Sequence, residues 1–131
     1  MRRALLALAP CVALLVGPAP AYAQASKPVV NTMEELGPAI IACWQPPAGS
    51  EGSEITLRFG LDGKGELRGP PMVTYSKLRG SPELQKAFAL SAFKAVADCA
   101  PVRLTESLGR IVAGRVLTMR FAQKTKVLPP I

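Results

Sequence analysis

The sequence predicts an α+β domain, with a three-stranded antiparallel sheet packed by two helices in the order α-β-β-α-β. Two observations carry this prediction. Apolar residues alternate along Glu54–Leu61 and again along Leu117–Phe121, as they do in half-buried strands. Between these regions, residues 82–99 place apolar side chains at three- and four-residue spacings, which is typical of a helix that lies on a sheet.

The first helix is predicted to begin at a capping box. Thr32 has the residue type of an N-cap, and Glu35 stands three positions later, where its carboxylate can return the hydrogen bond. The helix is expected to reach about Trp44. Gly37-Pro38 interrupts it, either with a kink or because a second turn starts at the proline.

The first two strands are predicted to form a hairpin. Glu54–Leu61 is the first strand, and Asp62–Gly65 is the connection, since glycines supply the positive φ that tight turns need. The second strand is expected over Glu66–Tyr75. Pro70-Pro71 cannot donate ladder hydrogen bonds, so this strand should be short, bulged or at an edge of the sheet.

The second helix has a strong start signal, with Ser81 as N-cap and Pro82 at the first helical position, and should end at about Cys99. Its main apolar stripe is expected to lie on the sheet. A second, weaker stripe is interpreted as core, as an oligomer contact or as exposed surface, with core favoured. The main stripe consists of Leu84, Phe88, Ala92, Ala95 and Cys99, and the weaker one of Leu90, Phe93 and Ala97.

The remaining residues after the second helix are assigned to a loop, a strand and a tail. Val102–Arg110 is expected to be a loop, and Ile111–Ala122 the third strand. The domain is therefore bounded at residues 32–122. Residues 123–131 are basic and then proline-rich, and form a tail outside it.

The beginning of the chain has the pattern of a secretory signal peptide over residues 1–23. Arg2-Arg3 precedes an apolar run, and Ala21-Tyr22-Ala23 supplies the small residues of a cleavage site. Residues 24–31 would then be a flexible lead-in. This pattern predicts export to the periplasm of a chain that is soluble and does not span the membrane once the leader is removed.

The cysteines point to the same compartment. Cys11 would leave with the leader, so Cys43 and Cys99 remain as a single pair. In an exported protein such a pair predicts one disulfide, here between the ends of the two helices. A redox role is not expected, because the chain has no Cys-x-x-Cys motif.

Composition argues against catalysis, cofactors and metal sites. The chain has no histidine, which removes the Ser-His-Asp and Cys-His arrangements and the usual zinc ligands, so an enzyme is not expected. The net charge is +7, or +5 once Arg2 and Arg3 leave with the leader. The basic residues are scattered, so nucleic acid is not an expected partner. The charge leaves one alternative function, a secreted basic factor that binds anionic envelope surfaces, either lipid or peptidoglycan-associated.

Four segments carry a resemblance that extends over roughly residues 32–122. They are Ile40-x-x-Cys43-Trp44-x-x-Pro47, Thr56-x-x-Phe59-x-Leu61-Asp62-x-x-Gly65-x-Leu67-x-Gly69-x-Pro71, Ala92-x-x-Ala95-Val96-x-x-Cys99-Ala100-Pro101 and Leu117-x-Met119-x-Phe121. Together they resemble the C-terminal domain of the TolA/TonB family. The spacing from Cys-Trp to Ala-Val-x-x-Cys-Ala-Pro is the most specific part. The chain differs from TolA, which has a membrane-spanning helix and a long helical spacer before this domain.

The resemblance implies a non-catalytic periplasmic domain that binds segments of periplasmic or outer-membrane proteins, TolB-like or receptor-like. Such a segment would add as a strand to the exposed edge of the third strand. Arg115 and Arg120 would either favour acidic partners or only protect the edge from aggregation. The protein is expected to be a monomer or a weak homo-oligomer. The partner-binding residues implied are Arg115, Val116, Leu117, Thr118, Met119, Arg120 and Phe121.

Overall fold

The computed structural model of the protein describes residues 27–124. It confirms the α+β class and the three-stranded antiparallel sheet, whose strand order is β2-β1-β3. The predicted signal peptide and all but the first two residues of the predicted tail lie outside the described residues. The elements are α1 (Met33–Ile41), β1 (Glu54–Phe59), β2 (Met72–Lys77), α2 (Pro82–Cys99), α3 (Glu106–Ala113) and β3 (Leu117–Ala122).

The helix α1 begins at the predicted cap and ends earlier than expected. The hydroxyl of Thr32 accepts a hydrogen bond from the main-chain N–H of Glu35 at 3.3 Å. The Glu35 carboxylate accepts from the N–H of Asn31 at 2.9 Å, one residue before the position that a capping box uses. The helix runs without interruption through Pro38 and stops at Ile41.

The sheet has β1 at its centre. Ile55, Leu57 and Phe59 are buried on the face that the helices cover. β1 ends two residues before the predicted end, and Leu61 forms only an isolated bridge to Leu67. All six pairs of β1 with β3 are in continuous register.

The strand β2 lies at the other edge of the sheet, and it is short and bulged. It starts at Met72, directly after Pro70-Pro71, instead of at Glu66. Its pairing with β1 shifts register between Thr56 and Leu57. Every β2 residue is exposed, so the helices do not cover this part of the sheet.

The prediction for residues 102–116 was wrong, because this region contains a third helix. Thr105 accepts a hydrogen bond from the N–H of Leu108 at 3.4 Å and caps α3. Leu108 and Val112 stand four residues apart and are both buried, so they share one helical face. β3 consequently begins at Leu117, six residues later than predicted.

The helix α2 matches its prediction in extent and in its main buried face. Phe88, Ala92, Ala95 and Cys99 are buried. The weaker stripe is not core as a whole, since Leu90 is 57% exposed and Ala97 is also exposed. Only Phe93 packs partly against the core.

The predicted disulfide is present. Cys43, two residues after the end of α1, is bonded to Cys99, the last residue of α2, with a Cα–Cα distance of 5.7 Å. Close to this bond, the ammonium of Lys27 donates to the main-chain oxygens of Asp98 and Cys99 at 2.9 and 2.8 Å. The disulfide and the lysine together hold the carboxyl end of α2.

The segment before α1 is bound to the domain in its described part, although it was predicted as a flexible lead-in. Val30 is 2% exposed and forms a parallel bridge with Leu104. Its N–H donates to the main-chain carbonyl of Arg103 at 2.7 Å, and its carbonyl accepts from the main-chain N–H of Thr105 at 3.0 Å. The folded unit therefore includes these residues. Within residues 27–124, no helix combines the length and the apolar character that a membrane crossing requires.

Candidate functional site

The outer edge of β3 carries main-chain groups that no strand of the described chain uses. Since β1 is central, β2 and β3 each have one free edge. The N–H of Gln123 donates to the carbonyl of Ser53 at 3.0 Å. In an antiparallel ladder every second residue forms such hydrogen bonds with the neighbouring strand, so this bond shows which residues of β3 are bonded to β1. Leu117, Met119 and Phe121 therefore direct their main-chain groups toward β1. Those that point outward belong to Thr118, Arg120 and Ala122.

An apolar groove runs between this edge and α1. It has a volume of about 180 Å³ and is open to solvent. Because side chains alternate along a strand, a strand added beside β3 would direct every second side chain toward the helices, and so into this groove. The groove is lined by Met33, Leu36, Gly37, Ile40, Phe59, Leu117, Thr118 and Met119.

The predicted partner-binding residues differ in how far their side chains are buried. Leu117 and Phe121 are 9% and 0% exposed, so their side chains belong to the core. The Phe121 ring also packs edge-to-face on Trp44, with centroids 5.4 Å apart. Thr118 is exposed and Met119 is half-buried in the groove wall, so these two combine an accessible position with the free edge.

The two predicted arginines differ in their surroundings. The guanidinium of Arg120 pairs with the carboxylate of Glu54 on β1, with an Nε–Oε2 distance of 2.5 Å. This ion pair would compete with an acidic partner for Arg120, whose side chain remains 67% exposed. Arg115 lies before β3, next to Val116, which is 60% exposed. Arg115 takes part in none of the ion pairs of residues 27–124.

Arg115 belongs to a cleft that the sequence did not indicate, named here the arginine cleft. It contains three exposed arginines, Arg58, Arg68 and Arg115, and has a volume of about 530 Å³. One Arg68 nitrogen donates to the main-chain oxygen of Ala113 at 2.5 Å. No carboxylate lines the cleft among the described residues. The other lining residues are Phe59, Gly60, Pro70, Met72, Gly114 and Val116.

A second basic cleft lies at the Glu54 end of the sheet and has a volume of about 440 Å³. It differs from the arginine cleft because the Glu54 carboxylate lines it. Its basic residues are Lys77, Arg79, Arg120 and Lys124. Sequence reasoning missed both clefts, since each cleft unites bases from separate segments of the chain. The one available signal was the placement of Arg58 on the polar side of the β1 alternation.

The structure of residues 27–124 contains no cluster of side chains suited to hold a metal ion. Within residues 27–124, no three acidic, cysteine or histidine side chains come together as metal ligands would.

The fold and this edge define a small disulfide-bonded α+β domain with an open, regular strand beside an apolar groove. By sequence, the chain belongs to the family of uncharacterised conserved proteins UCP034077, which it matches over residues 25–125. No curated protein and no solved structure matches it. The family description mentions neither TolA nor TonB, so that resemblance stays a prediction.

Proposed function

We propose that the protein is a non-catalytic periplasmic domain that recognises segments of cell-envelope proteins by strand addition to β3. The observation that carries this proposal is the free edge of β3 beside the groove formed with α1. An edge strand offers main-chain hydrogen bonds to an extended peptide of almost any sequence. The adjoining groove then selects among such peptides by their side chains.

The main-chain part of the interaction rests on residues that point outward. Thr118, Arg120 and Ala122 each present one N–H and one C=O to an incoming strand. Their positions do not require the domain to open, because Leu117, Met119 and Phe121 already hold β3 to β1. The recognition surface is thus formed before the partner binds, which keeps the entropic cost of association low.

The side-chain part rests on the groove. Its lining is largely apolar, with Met33 and Leu36 on one side and Met119 on the other. Methionine side chains are flexible and adapt to apolar groups of different shape. The groove therefore favours an apolar residue at alternate positions of the partner segment without requiring one particular residue.

The cellular setting is supported by two features. Residues 1–23 have the signal-peptide pattern, and the disulfide between Cys43 and Cys99 is typical of an oxidising compartment. The resemblance to the TolA/TonB family supports the choice of partner, namely segments of TolB-like or receptor-like proteins of the envelope.

A second candidate function is favoured by the two basic clefts. A basic factor on anionic lipid or peptidoglycan-associated surfaces would use these bases as a diffuse charge, and would not need the β3 edge. Its binding would fall steeply with salt and would tolerate changes in β3. Strand addition into an apolar groove depends much less on salt.

Proline substitution at the edge tests the strand-addition proposal. Thr118→Pro removes one outward N–H and places a ring where the partner strand lies, while it leaves the β1–β3 ladder intact. We expect it to weaken binding of nine-residue peptides, selected on the wild-type protein from a positional-scanning library, at least tenfold. Titrations followed by NMR at 50 and 500 mM NaCl measure the affinity and map the contact.

Ser76→Pro is the matched control. The register of β2 directs the Ser76 N–H outward at the opposite edge, so this substitution should leave binding unchanged. Proline at Leu117 or Met119 is not a suitable test, since their N–H groups face β1 and the domain itself would be destabilised. Equal binding by Thr118→Pro and the wild type would refute strand addition. If, in addition, both the wild type and Thr118→Pro lose binding at 500 mM NaCl, the basic-surface function would be favoured.

A further inference from the structure

The arginine cleft has an unbalanced charge. The ion pairs found within residues 27–124 are Lys94–Asp98, Arg110–Glu106 and Arg120–Glu54, and none involves Arg58, Arg68 or Arg115. Three guanidinium groups that line one cleft repel each other, and an anion placed among them would relieve this repulsion. The planar fork of each arginine suits a carboxylate, which it binds through two parallel hydrogen bonds.

The walls of the cleft increase the strength of such a contact. Pro70, Met72 and Val116 are lining residues, and Met72 and Val116 expose 66% and 60% of their surface. Apolar groups beside a charge pair reduce the screening by water, and they bury apolar surface against the stem of a glutamate. This combination fits an acidic peptide better than a small inorganic anion.

The cleft is connected to the β3 edge by the register of the sheet. Met72 pairs with Arg58, and Arg58 pairs with Thr118. These three side chains therefore lie side by side, in one row across the face of the sheet that the helices do not cover. A strand added beside β3 would place its next side chain on the same face, roughly 10 Å, or two strand spacings, from the main chain of Arg58. An arginine and a glutamate side chain together span this distance.

We propose that the arginine cleft is a carboxylate-binding subsite for the segment that pairs with β3. The segment then carries a glutamate or aspartate at the end that lies beside Val116, on the face opposite to the apolar groove. The opposite end of the edge differs in that a carboxylate, Glu54, already lines the basic cleft there and pairs with Arg120. This inference rests on the proposed strand addition.

A pair of peptides tests the subsite. Both have nine residues, alternate valine and threonine, and are acetylated and amidated, so that their termini carry no charge. One has glutamate at both ends and the other has glutamine. We expect the wild-type protein to bind the glutamate peptide about tenfold more tightly at 50 mM NaCl, as one charge-assisted contact would give.

Variants assign the preference to the cleft. In Arg58→Gln/Arg115→Gln the preference for glutamate should disappear, so that the two peptides bind with equal affinity. Lys64→Gln/Lys86→Gln removes the same charge from exposed positions elsewhere and should keep the preference.

The outcomes separate the two proposals. If both peptides bind equally and remain sensitive to Thr118→Pro, or if the preference survives in Arg58→Gln/Arg115→Gln, the subsite is wrong and strand addition stands. If the glutamate peptide binds with no sensitivity to Thr118→Pro, or if neither peptide binds, strand addition fails and the subsite fails with it.

Discussion

At the scale of single residues, Gly65 shows how closely two loops approach at one end of the sheet. Its φ is +81°, in the region that favours glycine, and its carbonyl accepts a hydrogen bond from the N–H of Val102 at 2.9 Å. A Cβ at this position would lie 1.9 Å from the Val102 oxygen. Glycine is therefore required both for its backbone conformation and for the absence of a side chain.

Two alanine substitutions separate these requirements. Gly69 also has a positive φ, +74°, but no atom lies within 4 Å of the Cβ that alanine would add. We expect Gly69→Ala to lower the free energy of unfolding by about 1 kcal/mol, from backbone strain alone. Gly65→Ala adds a steric overlap and should cost about 3 kcal/mol or more. Urea unfolding measures both, and equal losses would contradict the close approach.

At the scale of elements, the sequence predicted those that have strong local signals. α2 follows its Ser81 cap and runs from Pro82 to Cys99, as the cap and the apolar spacing indicated. α3 was missed because Gly109, Ile111 and Val112 are poor helix formers, and the last two read as the start of a strand. The start signals of this helix are present in the sequence, with Thr105 as N-cap and Glu106 in the first turn, but the strand-like Ile111 and Val112 outweighed them in the prediction.

The connection between β1 and β2 is expected to respond to acid. One carboxylate oxygen of Asp62 accepts from the N–H groups of Lys64 and Glu66 at 2.8 and 3.0 Å. The pKa of Asp62 lies below its ordinary value of 3.8, chiefly because of the hydrogen bond from the N–H of Glu66. The N–H of Lys64 and the positive charges of Lys64 and Arg68 lower the pKa further, whereas partial burial opposes the shift.

The lowered pKa of Asp62 makes the folded state more stable at neutral pH than at low pH. The ionised form favours folding, so its contribution is complete above about pH 4 and is lost as the pH falls through the lowered folded pKa. We expect the free energy of unfolding to fall less steeply between pH 4 and pH 2 in Asp62→Asn than in the wild type. Urea unfolding at a series of pH values measures the two slopes, and parallel slopes would show that Asp62 does not contribute.

At the scale of the whole molecule, the candidate site was only partly predictable. The sequence pattern placed Thr118 and Met119 on a strand, and the resemblance to the TolA/TonB family implied that the edge of this strand is exposed. The groove required contact between α1 and β3, whose lining residues Met33 and Met119 are far apart in the chain. The arginine cleft likewise unites separate segments, and no local pattern records such proximity.

The disulfide is the covalent link that acts on the whole domain. It joins residues separated by 56 positions, so it restricts the unfolded chain strongly. We expect Cys43→Ala/Cys99→Ala to lower the free energy of unfolding by about 4 kcal/mol on the chain-entropy account. Chemical denaturation of the variant, with reduced wild-type protein as the control, measures this loss. A loss below about 1 kcal/mol would show that the loop is already restricted in the unfolded chain.

The two edges of the sheet differ in regularity, and this difference bears on how many strands the proposed mechanism would allow one molecule to accept. β3 is regular over all six of its pairs, whereas β2 is interrupted by a register shift. A bulge increases the local twist and interrupts the row of groups that a neighbouring strand needs. Under the proposed strand addition, the sheet would therefore be extended at β3 only. One domain would then take up one segment, and copies of the chain would not continue edge to edge into a fibre.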